Sequence, residues 1–148
     1  MISLDSNVFV YLLDDAEPEK QAVAAEVIAR AAALRCPVAL QVIGEAQNAA
    51  RRKLKAPPFV AAQFARNILT AFDVLPASGD DADIALAQLA AGRLSYWDAM
   101  LISVLRRHGC KALITEELQD GAVVLGVEIV NPFASGGLSA RAATLLGA

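Results

Sequence analysis

Short apolar runs of strand length alternate with longer amphipathic stretches along most of the chain, and this alternation constrains the fold more than any other feature. Ile2-Ser3-Leu4 reads as a strand that ends on Asp5, and Asn7 to Leu13 as one or two helical turns. Beyond the Asp14–Pro18 turn, Glu19 to Leu34 has helical spacing, with Val23, Val27 and Ile28 on one side. Val38-Ala39-Leu40, Asp73–Pro76, Lys111–Thr115 and Val127–Val130 read as further strands. Val42–Lys55, Phe59–Phe72, Asp80–Ala91 and Tyr96–His108 read as helices, stopped by Pro57-Pro58, Gly92 and Gly109. Glu116–Gly126 reads as a loop. Short strands separated by longer helices give the α/β class, with a small, mainly parallel sheet flanked by helices.

The 148 residues suit one domain. A hydrophobic fraction of 56% against 20% charged excludes a disordered chain. Residues 1–133 read as the domain; Ser135-Gly136-Gly137 opens a tail, expected to be flexible, over residues 134–148. Arg30 and Arg35 interrupt one apolar stretch and Arg106-Arg107 end another, so no charge-free run reaches the ~18 residues of a membrane span. Cys36 and Cys110 lie far apart with no Cys-x-x-Cys, and no secretion signal is evident. A cytoplasmic protein with reduced thiols and no membrane partner is the expectation.

Thirteen basic residues against 16 acidic give a net charge of −3, which by itself argues against a nucleic-acid binder. The placement of the acids says more. Asp80, Asp81 and Asp83 crowd a helix start, where the dipole favours them. Asp5, Glu45 and Asp98 instead sit in apolar context, where a carboxylate is costly without a partner or a cation. Each also has a simpler use. Asp5 could cap the following helix, Asp98 could close a capping box with Ser95, and Glu45 could favour the first turn of its helix. A fourth acidic position, Glu116-Glu117, follows the Lys111–Thr115 strand. In an open parallel sheet, ligands bind beyond the carboxyl ends of the strands. Carboxylates gathered there repel one another, and a hard cation such as Mg²⁺ or Mn²⁺ relieves the repulsion. One histidine, His108, and two separated cysteines make a structural zinc site a poor fit.

Leu4-Asp5-Ser6-Asn7-Val8, Gly44-Glu45, Leu94–Ala99 and Leu113–Gly121 together resemble the motif series of PIN-domain ribonucleases. The resemblance is greatest to the VapC-type toxins of toxin–antitoxin pairs, and Val127–Phe133 extends it over residues 1–133. It implies a PIN-like three-layer sandwich and an Mg²⁺- or Mn²⁺-dependent endoribonuclease leaving 5′-phosphate and 3′-hydroxyl ends. Asp5, Glu45, Asp98 and Glu117 would be the catalytic acids, with Asp5 and Asp98 as first-choice metal ligands. Asn7, Thr115, Glu116 and Asp120 would be supporting residues. Relatives often carry aspartate where this chain has Glu117, which sets its carboxylate farther out. The resemblance also implies a homodimer and a cognate antitoxin that blocks the acids, with Glu19–Leu34 and Phe59–Phe72 as candidate walls of its groove.

An RNA substrate needs cations as well. Arg51, Arg52, Lys53 and Lys55 follow Glu45 on one helix, and Arg93 precedes the Asp98 motif. They are candidate phosphate contacts, although basic residues also suit a helix C-terminus. Tyr96 and Trp97 could stack on a base or pack against a neighbour. Two other readings remain at this level. An aspartate-nucleophile phosphatase would carry a second acid where Asp5-Ser6-Asn7 has Asn7. A catalytically weak PIN-like module would bind RNA or protein without cutting.

Overall fold

The computed structural model describes all 148 residues. The elements are β1 (Ile2–Leu4), α1 (Ser6–Val10, prolonged by a 3-10 turn at Tyr11–Leu13), α2 (Pro18–Ala33), β2 (Val38–Ala39), α3 (Leu40–Leu54) and α4 (Pro58–Ala71). They continue with β3 (Val74–Leu75), α5 (Gly79–Ala90), α6 (Tyr96–Arg107), β4 (Ala112–Ile114), β5 (Val123–Val124) and β6 (Val127–Val130). A hairpin, β7 (Phe133–Ala134) and β8 (Gly137–Leu138), and α7 (Ala140–Leu145) close the chain.

The central sheet has the order β1-β4-β6-β5. The first three strands run parallel and β5 is an antiparallel edge. β2 and β3 form a separate parallel pair, tied to β1 where Ser3 Oγ donates to the Pro37 carbonyl at 2.7 Å. The small, mainly parallel sheet flanked by helices is therefore as expected. Leu4, Leu113, Ile114 and Ile129 from its strands are fully buried, as are Val27, Val42, Ile102 and Leu105 from the helices. They share one hydrophobic core, and at 0% exposure each side chain stabilises the fold by about 1.5–3 kcal/mol. No helix is long and apolar enough to cross a membrane.

Four local expectations change. β2 is only two residues long and α3 starts at Leu40, so Glu45 lies in the second helical turn rather than the first. The loop read over Glu116–Gly126 contains the edge strand β5. The segment after Phe133, expected as a loose tail, carries a hairpin and a helix; Leu138, Leu145 and Leu146 pack on the main core. Asp81, read as one of three helix-start acids favoured by the dipole, is fully buried. It completes a capping box with Ser78 and accepts hydrogen bonds from Ser103 Oγ at 2.9 Å and Arg107 Nη2 at 2.8 Å.

Candidate active site

β1 and β4 are parallel neighbours with Leu4 opposite Ile114, so the residues just past each strand emerge side by side. Asp5 and Thr115 are those residues. The Asp5 amide donates to the Ile114 carbonyl at 3.0 Å, continuing the ladder by one step. Thr115 is fully buried and its hydroxyl donates to Asp5 Oδ2 at 2.9 Å. Asn7 Nδ2 donates to Thr115 Oγ1 at 2.8 Å and more weakly to Asp5 Oδ2 at 3.4 Å. Its Oδ1 accepts the Glu116 amide at 3.3 Å, and the Glu117 amide donates to Thr115 Oγ1 at 3.0 Å. Asn7 and Thr115 thus connect the end of β1 to the loop after β4, with Asp5 held between them.

Asp5 does cap α1, accepting the Ser6 amide at 2.7 Å, but this is one contact among several. Its carboxyl is 5% exposed and no cationic side chain is paired with it. Burial pushes its pKa up to about 6, against the lowering effect of the Ser6 and Thr115 hydrogen bonds. The nearby carboxylates of Glu45 and Glu117 raise it further. The acids therefore act on one another electrostatically, as expected for like charges gathered in one concavity.

Glu45 reaches the site from α3. Its Oε2 accepts from Ser6 Oγ at 3.0 Å, and Ser6 Oγ also lies 3.4 Å from Asp5 Oδ1. Its Oε1 accepts from the amide of Gln41, one helical turn earlier, and Gln41 Nε2 also donates to the Trp97 carbonyl at 3.0 Å. One amide thus joins α3 to the start of α6. Gln41 and Ser6 are absent from the sequence-derived set, although the i, i+4 spacing of Gln41 and Glu45 is visible in the sequence.

Asp98 shows how the same local pattern serves two ends. Ser78-x-x-Asp81 and Ser95-x-x-Asp98 both open helices. In α5, Asp81 reaches back to the Ser78 amide at 2.9 Å and completes the box. In α6, only the Ser95 hydroxyl makes its bond, accepting the Asp98 amide at 3.2 Å. The Asp98 carboxylate has no hydrogen bond or ion pair in the chain and lines a cleft with Glu45 and Glu117. Glu117, on the rim, has its pKa raised by burial and by Asp98, with Lys53 opposing.

The remaining candidates divide. Glu116 is engaged by other partners, accepting Tyr11 OH and Lys20 Nζ. Asp120 accepts the Asn131 amide at 2.8 Å and so fastens the loop to the end of β6 instead of joining the cluster. Arg52 and Lys53 border depressions shared with Glu45 and Glu117. Arg51 and Lys55 border only another one beside Pro57 and Pro58, which Arg52 also reaches, and Arg93 is exposed in the turn before α6.

Whether a cation suits these residues follows from their donor chemistry. Asp5, Glu45, Asp98 and Glu117 offer only oxygen, the choice of hard divalent ions. No three His, Cys, Asp or Glu side chains close on one point, which argues against a tight all-protein cage. Mg²⁺ keeps several of its waters and needs only one or two direct carboxylates, so an open ring of acids fits it.

The PIN-domain family profile matches residues 2–118. Among solved structures, the chain is similar to the Mycobacterium tuberculosis VapC20 crystal structure, described as a sarcin–ricin loop cleaving toxin. Identity is 23% and the TM-score 0.59, over 76% of this chain and 87% of that one. It is also similar to a chain from a Klebsiella pneumoniae toxin–antitoxin complex, at 23% identity and a TM-score of 0.58, over 90% and 98% of the two chains. At these identities the likeness is one of fold. No curated protein sequence matches the chain.

Proposed function

The chain belongs to the PIN-domain family, and from that premise we propose that it is a divalent-cation-dependent endoribonuclease of the VapC toxin type. The observation that supports the reading is that Glu45, Asp98 and Glu117 line one cleft, with Asp5 beside Glu45 through Ser6 and no cationic partner for Asp5 or Asp98. Three independent helix caps would not produce that arrangement.

In this reading Asp5 and Asp98 would hold a Mg²⁺ or Mn²⁺ ion, which would supply an acidified water and charge stabilisation at the phosphate. Ser6 and Gln41 orient Glu45 beside Asp5. Glu117, whose pKa is raised by burial and by Asp98, would accept the proton of the attacking water as the P–O3′ bond breaks, and the leaving 3′ oxygen would take a proton from solvent. Arg52 and Lys53 are free of internal ion pairs and bind the flanking phosphates. Asn7 acts as a donor to Asp5 and Thr115, which suits a supporting role and leaves no second acid for phosphatase chemistry.

The partners in this reading are an RNA substrate, a second copy of the chain and a cognate antitoxin in the cytoplasm. An antitoxin arm carrying arginine would pair with the unpartnered Asp98 carboxylate. The test is incubation of the purified chain with a structured RNA in Mg²⁺ or Mn²⁺, with and without EDTA. Cleavage abolished by the chelator supports the reading, and cleavage indifferent to it refutes it.

A further inference from the structure

We propose that the cleft between the starts of α3 and α6 is a nucleobase subsite in which Trp97 is the stacking platform for a base next to the phosphate under attack. The proposal rests on the ribonuclease reading and adds what recognises the substrate.

Trp97 is the only tryptophan in the chain and lies next to Asp98, yet it is 62% exposed. So large an apolar side chain is normally covered. It is held in place all the same. Its ring stands edge-on to Tyr96 with centroids 5.0 Å apart, and its carbonyl is fixed by the Gln41 amide that also orients Glu45. The backbone of the platform and one of the acids, Glu45, are therefore set by the same amide.

The cleft beside it encloses about 760 Å³, within the range of small-molecule sites. Leu40, Leu75 and Met100 give it an apolar side, and Leu40 is 52% exposed. Asn48 and Arg52 face it from α3, and neither has a hydrogen-bonding or ionic partner elsewhere in the chain. Glu45, Asp98 and Glu117 form its other end. A flat aromatic surface, an amide able to read a base edge and a free guanidinium beside a cation-seeking acid cluster match the parts of one nucleotide. Bases can reach such a platform only where they are unstacked, so the ligand is a single-stranded segment or loop. An arginine from a protein partner answers the carboxylates but leaves Arg52 without a counter-charge, whereas a nucleotide phosphate with a divalent cation meets both.

Because Trp97 is the sole tryptophan, its fluorescence reports on the cleft directly. The experiment titrates a short single-stranded RNA, with Mg²⁺, into the Asp98→Asn variant, and separately measures RNA cleavage by wild type, Trp97→Ala and Trp97→Phe. Saturable quenching is expected. Trp97→Ala should raise KM by about tenfold or more with kcat within about twofold, and Trp97→Phe should restore most of the loss. Unquenched emission overturns the subsite whether or not the wild type cuts RNA, and so does an unaltered KM in Trp97→Ala when it does. An emission shift that follows protein concentration without RNA also overturns it, by marking a face that pairs copies. Saturable quenching with no cleavage by the wild type supports the subsite and refutes the nuclease reading instead.

Discussion

Lys20 on α2 forms an ion pair with Glu116 at 2.9 Å, across 96 positions of sequence, and Glu116 is the residue immediately before Glu117. Tyr11 donates to the same carboxylate, and the Lys20 ammonium lies 5.1 Å from the Tyr11 ring centre and 5.4 Å from that of Phe133. Glu116 and then Tyr11 hold the Lys20 pKa above its ordinary value. The pair fixes the loop after β4 immediately beside Glu117. With side chains 38% and 25% exposed, it contributes at most about 1 kcal/mol to stability. Its effect on the reaction should be larger, because small misplacements of a catalytic group cost up to about 100-fold. Lys20→Met is expected to lower kcat about tenfold with little change in melting temperature, and Lys20→Arg to recover most of it. Equal kcat in all three proteins would remove Lys20 from the account.

Asp5 makes the metal-free fold sensitive to pH. Its pKa of about 6, against 3.8 for an ordinary aspartate, means that the folded state binds its proton more tightly. Stability from this group is full below about pH 4 and is lost as pH rises through 6. At neutral pH the loss is about 3 kcal/mol. In EDTA the melting temperature should therefore fall between pH 4.5 and 7, and Asp5→Asn should flatten that fall. Mg²⁺ at pH 7.5 should raise the melting temperature of the wild type but not of Asp5→Asn. Identical cation responses in the two proteins would contradict this assignment.

Asp81 behaves in the opposite way. Burial alone would raise its pKa, but Arg107, Ser103 and Ser78 bring it down to about 2. It contributes stability above pH 3.8 that is lost as pH falls through 2. Asp81→Asn should destabilise the protein by roughly 2–3 kcal/mol in denaturant titrations, because it removes the partner of Arg107. The RNA KM should stay as in the wild type. A changed KM at normal stability would mean that the α5–α6 contact serves the site directly.

Arg52 and Lys53 border the depression that holds Glu45 and Glu117, and Arg51 and Lys55 do not. Arg52→Ala and Lys53→Ala should each weaken RNA binding and reduce the salt dependence of log K by about one. Arg51→Ala and Lys55→Ala should do less. Binding measured across a salt series checks this, and four equal effects would refute the distinction.

The strand-to-acid junctions were legible in the sequence because a parallel sheet fixes where they emerge. Asp5 and Thr115 meet for that reason alone. The roles of Asp81 and Asp98 were not separable there. Both stand three residues after a serine, and only packing against Ser103 and Arg107 draws Asp81 into the core while Asp98 stays in the cleft. Glu116 and Asp120 looked like spare acids beside the fourth position. Their partners, Lys20 and the Asn131 amide, are brought to them by tertiary structure that local spacing does not encode. The segment after Phe133 reads as loose because of Ser135-Gly136-Gly137, yet Ser135 and Gly136 form the turn of a hairpin, Gly137 opens its second strand, and the following leucines reach the core.

The central claim is that the separated carboxylates form one cation-dependent hydrolytic site. The most direct measurement is RNA cleavage in Mg²⁺ by the wild type beside Asp98→Asn, since the Asp98 carboxylate makes no internal contact whose loss would disturb the fold. The expected result is a loss of at least about 100-fold in kcat at an unchanged melting temperature, with the wild type equally silenced by EDTA. Cleavage by Asp98→Asn at the wild-type rate would contradict the claim.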